Sequence, residues 1–251
     1  MDVKKYLERI AFRGNPAPDV DTLFRLHKSH LFSVPFENLD IHIGRKITLD
    51  IEKFYDKIVL NKRGGFCYEL NGLFYALLVQ LGFDVMMVSA RVAGSKVAFG
   101  KDFDHMALIV NLKDQWLVDV GFGDSFILPV RLQAGLPQRQ YGFFYTISAY
   151  DEDGYLKLSR SPENIEFKDQ YIFKLKERSL EEFSEMCVYN QTSPTTMFTQ
   201  KRICTLAAED GRYTLSDLKF IITKDGAKEE TILNNEEEFT NTLKRYFNIV
   251  L

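Results

Sequence analysis

Cysteine is scarce in this chain of 251 residues. There are three, Cys67, Cys187 and Cys204, widely spaced and without a Cys-x-x-Cys pair. That excludes a disulfide framework or a cysteine zinc site and points to a reducing, cytoplasmic setting. The four histidines show no metal-ligand spacing, so no metal is expected. No apolar run approaches the roughly 20 residues of a membrane span. Residues Met1 to Tyr6 lack the apolar core of a signal peptide. Charge of one sign is also missing. A formal net charge of −3 leaves no basic face for nucleic acid. Long low-complexity linkers and repeats are absent too.

The composition that is left, 45% hydrophobic and 27% charged, is that of an ordinary globular protein with enough chain for a sizeable core. Its 21 phenylalanines favour a Phe-lined interior or pocket. Residues 1–85 read as helical. Asp19 or Asp21 caps a helix with Leu23, Phe24, Leu26, His27, His30 and Leu31 on its apolar face, and Val34-Pro35 ends it. A second helix is expected over 50–60. A third runs from Cys67 to about Leu81, where Gly82 stops it. From about Val85 the pattern turns to strands: Met86 to Val92, Met106 to Leu112, Trp116 to Val120, Tyr141 to Tyr150 and Tyr155 to Ser159. Several short strands with turns suggest a small barrel or sandwich. The last part is mixed. A helix is expected over 180–189, then strands over 211–215 and 218–223. A closing helix carries Phe239, Leu243, Tyr246 and Phe247, with Asn234 or Asn235 as its cap.

Cys67 stands in Arg63-Gly64-Gly65-Phe66-Cys67-Tyr68-Glu69, at the start of the third helix. A free thiol has a pKa near 8.5, and the unpaired N–H groups of a helix start favour its anion. Cys187 and Cys204 have no such setting and read as core residues. A thiolate nucleophile needs an imidazole, and the imidazole an orienting partner. His27 and His30 lie on a helical stripe and read as structural, and His42 as a loop or strand residue. His105 opens a strong apolar strand. If residues 112–114 form a hairpin loop, Asn111 pairs with Gln115 and Ala107 with Asp119. His105 then shares a sheet face with Asp119, one diagonal step away. Asp119 between Val118 and Val120 is a costly group to bury alone, and a protonated imidazole resolves that cost. The expected catalytic set is Cys67, His105 and Asp119.

These segments resemble the arylamine N-acetyltransferases from end to end. Arg63 to Cys67 is similar to the family's nucleophile motif. His105 with its strand, and Val118-Asp119-Val120-Gly121-Phe122-Gly123, are similar to its histidine and aspartate motifs. Pro35-Phe36-Glu37-Asn38-Leu39 and Thr192-Ser193-Pro194-Thr195 resemble two further signatures. The resemblance implies an α+β fold: a helical domain (1–85), a central β-barrel domain (86–190) and an α/β lid (191–251), with a core related to papain-like cysteine proteases. It implies acetyl-CoA as donor co-substrate and a ping-pong transfer through acetyl-Cys67 to an aromatic amine or hydrazine. It also implies an acceptor pocket lined by Phe36 and Phe122, and coenzyme A contacts at Tyr189 and Thr195. The chain reads as a bacterial-type member, without the barrel insertion and extended tail of vertebrate members. Its loop Lys101-Asp102-Phe103-Asp104 departs from the family, because two aspartates beside an anionic cofactor are unexpected. A cysteine peptidase or transglutaminase-like hydrolase would use the same three residues. A catalytically silent relative would only bind.

Overall fold

The computed structural model describes residues 1–94 and 98–251. The helical part holds α1 (Val3–Arg9), α2 (Val20–Ser33), α3 (Leu39–His42), α4 (Ile51–Tyr55) and α5 (Cys67–Gln80). Strand β1 (Phe36–Glu37) is embedded in it. Next come β2 (Asp84–Val92), β3 (His105–Asn111), β4 (Gln115–Val118), β5 (Val130–Arg131), β6 (Gln138–Gln140), β7 (Phe143–Ala149), β8 (Leu156–Ser161) and β9 (Lys168–Arg178). The remainder is α6 (Ser184–Thr192), α7 (Met197–Gln200), β10 (Ile203–Ala208), β11 (Gly211–Ser216), β12 (Lys219–Lys224), β13 (Ala227–Ile232) and α8 (Glu236–Thr242).

Local chemistry explains the boundaries. Asp19 is the cap of α2, accepting from the Thr22 N–H at 2.8 Å, and the helix stops at Val34 before Pro35. Asp50 caps α4, which runs on as a π turn over Asp56–Leu60. Asn235 caps α8, which likewise runs into a π turn at Leu243–Phe247. The expected helix over 180–189 begins as a 3-10 turn at Leu180–Phe183 before α6. His42 ends the short helix α3 rather than lying in a loop or strand, and its Nε2 meets the Phe198 carbonyl at 3.0 Å. Sequence patterning missed β9 and the short strands β1, β5, β6, β10 and β13.

Among the described residues, eight antiparallel strands, in the order β5-β4-β3-β2-β9-β8-β7-β6, curl into a nearly closed barrel. Glutamine side chains bridge its seam. Gln138 bonds both the N–H and the carbonyl of Arg131, and Gln140 those of Leu128. These bonds supply partners that edge strands otherwise lack. A second sheet, β1-β10-β11-β12-β13, is capped by α8. Its first strand comes from the helical part, with Phe36 opposite Thr205 and Glu37 opposite Cys204.

Strand β3 is buried on both faces, which is why it reads as a continuous apolar run. Met106, Leu108 and Val110 join the helical core around α5, while Ala107 and Ile109 join the barrel core. Strand β3 therefore lies where the helical core and the barrel core meet, and His105 is its first residue.

Candidate active site

The segment before α5 is held by close packing. A Cβ on Gly64 would collide with the Pro35 carbonyl oxygen, so only glycine fits there. The Glu37 N–H donates to Gly65 O at 2.9 Å. Behind this turn lies a buried ion cluster. Arg63 donates to Glu37 Oε1 (3.0 and 2.8 Å) and Asp40 Oδ1 (3.1 Å). Lys57 Nζ reaches Asp40 Oδ2 at 2.8 Å and Glu69 Oε1 at 2.9 Å. Glu69 also accepts from the Phe66 N–H at 3.1 Å, fixing the residue before Cys67.

Cys67 is the first residue of α5 and is 3% exposed. Burial pushes its thiol well above the ordinary range. The Met106 backbone N–H opposes that shift, and the charges of Asp104, Asp119 and Cys187 add to it. A lone thiolate is thus disfavoured here. The sulfur lies against the backbone of the residue that follows His105.

The expected register of the β3–β4 hairpin holds, with Asn111 opposite Gln115 and Leu108 opposite Val118. The ladder stops at Val118, so Asp119 does not pair with Ala107 but stands just past the strand end. The side chains still meet. His105 Nε2 lies 2.7 Å from Asp119 Oδ2, with both residues buried. Asp119 also accepts from Asn71 Nδ2 and from the Gly121 N–H, each at 2.9 Å. Burial pushes the Asp119 carboxyl up, but His105, Asn71 and Gly121 outweigh it, and its pKa falls below the ordinary value.

Three residues that sequence reasoning left aside hold this pair. Asn71, one helical turn after Cys67, donates to the Met106 carbonyl (2.7 Å) and to Asp119, and accepts from the Val120 N–H (2.9 Å). An amide on an otherwise apolar helix face, four residues after the cysteine, was the available signal. His27 is structural as expected, but at the site. Its Nδ1 meets Ile127 O at 2.8 Å and its Nε2 meets the Asp119 N–H at 3.2 Å. Those bonds fit a neutral ring protonated on Nδ1, and burial pushes its pKa down to about 4. Tyr68 Oη donates to the Phe103 carbonyl at 2.7 Å and so anchors the loop before His105.

That loop resolves its own anomaly. Asp102 turns away to accept from Tyr155 Oη at 2.9 Å. Asp104 is half-buried, and its partial burial pushes its pKa up. Lys101 is exposed, with Nζ 4.9 Å from the centre of the Tyr189 ring. Tyr189 Oη in turn lies 3.1 Å from Thr195 Oγ1. Phe122 meets His105 edge-on at 5.3 Å. Phe36 packs beside Phe198 at 6.3 Å, and Phe198 beside Phe66 at 6.1 Å. Cys187 and Cys204 are buried in apolar clusters, as expected.

A protein-family model described as N-acetyltransferase matches residues 19–251. A pineal gland arylamine N-acetyltransferase isozyme of Gallus gallus is 35% identical, the alignment covering 100% of this chain and 95% of that protein. The chain belongs to the arylamine N-acetyltransferase family. It is therefore an enzyme of an acyltransferase family, and the expected α+β fold is the family's own. The arylamine N-acetyltransferase of Mycobacterium marinum, solved in complex with CoA, superposes with a TM-score of 0.90 at 30% identity, covering 99% of this chain and 93% of that one. A Bacillus cereus arylamine N-acetyltransferase, described as having a unique Cys-His-Glu catalytic triad, superposes at 0.91 with 26% identity over 100% of both chains. Among the described residues, no helix is long and apolar enough to cross a membrane.

Proposed function

We propose that this chain transfers the acetyl group of acetyl-CoA to an aromatic amine, hydrazine or related amine, by a ping-pong route through acetyl-Cys67. The observation that carries the reading is the buried 2.7 Å contact of His105 with Asp119, at the start of the strand packed against Cys67. With Nε2 engaged by the carboxylate, Nδ1 is the nitrogen free to take the thiol proton. The resulting imidazolium–thiolate pair offsets the desolvation that disfavours the lone thiolate.

The sulfur attacks the thioester carbonyl, and first-turn N–H groups of α5, including that of Cys67, receive the oxyanion. The carbonyl re-forms, the C–S bond to coenzyme A breaks, and the CoA sulfur leaves with the proton from His105. An amine then attacks acetyl-Cys67, the Cys67 sulfur leaves, and His105 takes the amine proton. Phe36 and Phe122 supply flat apolar walls for an aryl group. Tyr189, Thr195 and Lys101 receive the donor, and the cation suits its phosphates. The M. marinum complex with CoA supports this choice of donor. Near-complete burial of Cys67 favours an acetyl-enzyme shielded from water over a wide peptide groove. Three unpaired cysteines support a reducing, cytoplasmic setting.

Intact mass measured after acetyl-CoA alone tests the reading. A single acetyl group per chain is expected, and none on Cys67→Ala. An unmodified wild-type chain would sink the transferase reading. A panel of arylamines and hydrazines, followed by release of coenzyme A, then identifies the acceptor.

A further inference from the structure

The loop after Asp119 runs Val120-Gly121-Phe122-Gly123-Asp124 and lies between the barrel and the second sheet. From β11, Arg212 reaches into this joint with its side chain only 13% exposed. It donates through Nη1 to the Gly123 carbonyl and, at 3.1 Å, to Thr205 Oγ1. Its Nε lies 3.3 Å from Asp124 Oδ1. Arg160 of β8 holds the same aspartate from the barrel side. Its Nη1 donates to the Asp124 carbonyl at 3.1 Å and its Nη2 to Oδ2 at 3.2 Å. One guanidinium thus makes three attachments, which a planar fork of donors can satisfy together and a lysine ammonium in the same place cannot.

The attachments flank the two phenylalanines proposed to grip the acceptor. Thr205 is the β10 residue directly opposite Phe36. Gly123 follows Phe122, and a Cβ placed on it would sit 3.4 Å from Phe36 Cγ and 3.6 Å from Thr205 Cγ2. Phe122 itself packs on His105. Tying Gly123 to Thr205 therefore fixes how far Phe122 stands from Phe36. We infer that Arg212, braced by Asp124 and Arg160, is a positioning residue that sets the width of the aryl slot between Phe36 and Phe122, and so determines which aromatic amines are acetylated. The inference rests on the transferase reading. Arg212 acts through the loop and touches neither Cys67 nor His105 among the described contacts.

The test separates the two half-reactions. Arg212→Lys keeps the charge but loses the fork, and Asp124→Asn keeps the size but loses the brace. For each, one measures the rate of acetyl-Cys67 formation from acetyl-CoA without acceptor. One then measures KM and kcat for arylamines of increasing width and for hydrazine, which has no ring to grip. The expected result is a rise in arylamine KM on the order of tenfold, the size of a lost apolar contact in a specificity pocket, with blunted discrimination between ring widths. Hydrazine kinetics and acetyl-enzyme formation should stay at the wild-type level. Unchanged arylamine KM and selectivity in both variants would overturn the proposal. So would a parallel loss for arylamines, hydrazine and acetyl-enzyme formation, which marks a general structural role. Absence of acetyl-Cys67 in the wild-type chain refutes the underlying reading instead, and is scored before any variant.

Discussion

Asp119→Asn separates the charge of the proposed triad from its shape. The asparagine is isosteric, and its Oδ1 can keep the bonds from Asn71 Nδ2 and the Gly121 N–H, both 2.9 Å in the wild type. Its amide nitrogen then faces His105 Nε2, where a carboxylate oxygen stood at 2.7 Å. An amide donates there, so Nε2 must accept, and the neutral ring carries its proton on Nδ1. That is the wrong tautomer for taking a proton from Cys67. In serine-triad enzymes the same exchange costs about 10⁴ in rate, or roughly 5 kcal/mol of transition-state stabilisation. Stability should change far less, by about 1 kcal/mol, because no buried donor is orphaned and removal of a buried charge pair is often nearly neutral. Single-turnover release of coenzyme A from acetyl-CoA, set beside the thermal midpoint, gives both quantities. Acylation within tenfold of wild type in a stable Asp119→Asn chain would show that Asp119 is not the orienting group.

Further expectations follow from the same network. Asn71→Ala deletes three buried hydrogen bonds and should cost about 2–4 kcal/mol in denaturant unfolding. Its loss of acylation should not add to that of Asp119→Asn, since both disable one unit. For His27, burial holds the folded pKa at about 4 against a usual 6.5. The unfolded chain therefore binds the extra proton between those values. Stability from this residue is full above pH 6.5 and declines by roughly 3 kcal/mol as pH falls toward 4. His27→Gln should flatten that part of the stability–pH curve, and an unaltered slope would refute the assignment. Lys57→Met leaves Asp40 and Glu69 without their shared cation and should destabilise the fold by about 3–5 kcal/mol. Lys101→Ala should raise KM for acetyl-CoA while leaving that for S-acetylpantetheine, which lacks the nucleotide phosphates, unchanged. Equal effects on both donors would remove Lys101 from the phosphate site.

The proposed catalytic set stands out in the sequence because each member violates a local expectation. A thiol sits at a glycine-led helix start, a histidine opens an apolar strand, and a carboxylate follows Leu117 and Val118. The hairpin register was legible as well, since residues 112–114 leave one pairing that keeps both apolar faces aligned. Where β4 ends was not, because the turn of Asp119 out of the ladder depends on His27, 92 residues earlier in the chain. Strand β9 was invisible as a half-buried strand. Gln170 to Phe173 are buried on both faces and Lys174 to Glu177 are largely exposed, so no alternation runs along it. Strands β1, β5 and β6 have two or three residues each, too few to carry a period. Asn71 is marked locally only as an amide on an apolar helix face, while the roles of Arg160 and Arg212 depend wholly on contacts distant in sequence.

The electrostatics around Cys67 give the proposed order of events a physical basis. Burial and the nearby Asp104 and Asp119 both oppose a thiolate, so the anion persists only while His105 carries the compensating proton. Asp102 is engaged by Tyr155, and Asp104 acts on Cys67 and His105 through its charge alone; the carboxylate in hydrogen-bond contact with His105 is Asp119, at Nε2. Acetylation removes the negative charge from sulfur and sends the His105 proton out with coenzyme A. The imidazole is then neutral, still held by Asp119 in the tautomer whose Nδ1 can accept. That is the state a general base must be in before an amine arrives. The first half-reaction thus prepares the protonation state that the second requires, and the fixed His105–Asp119 contact makes the two steps compatible in one site.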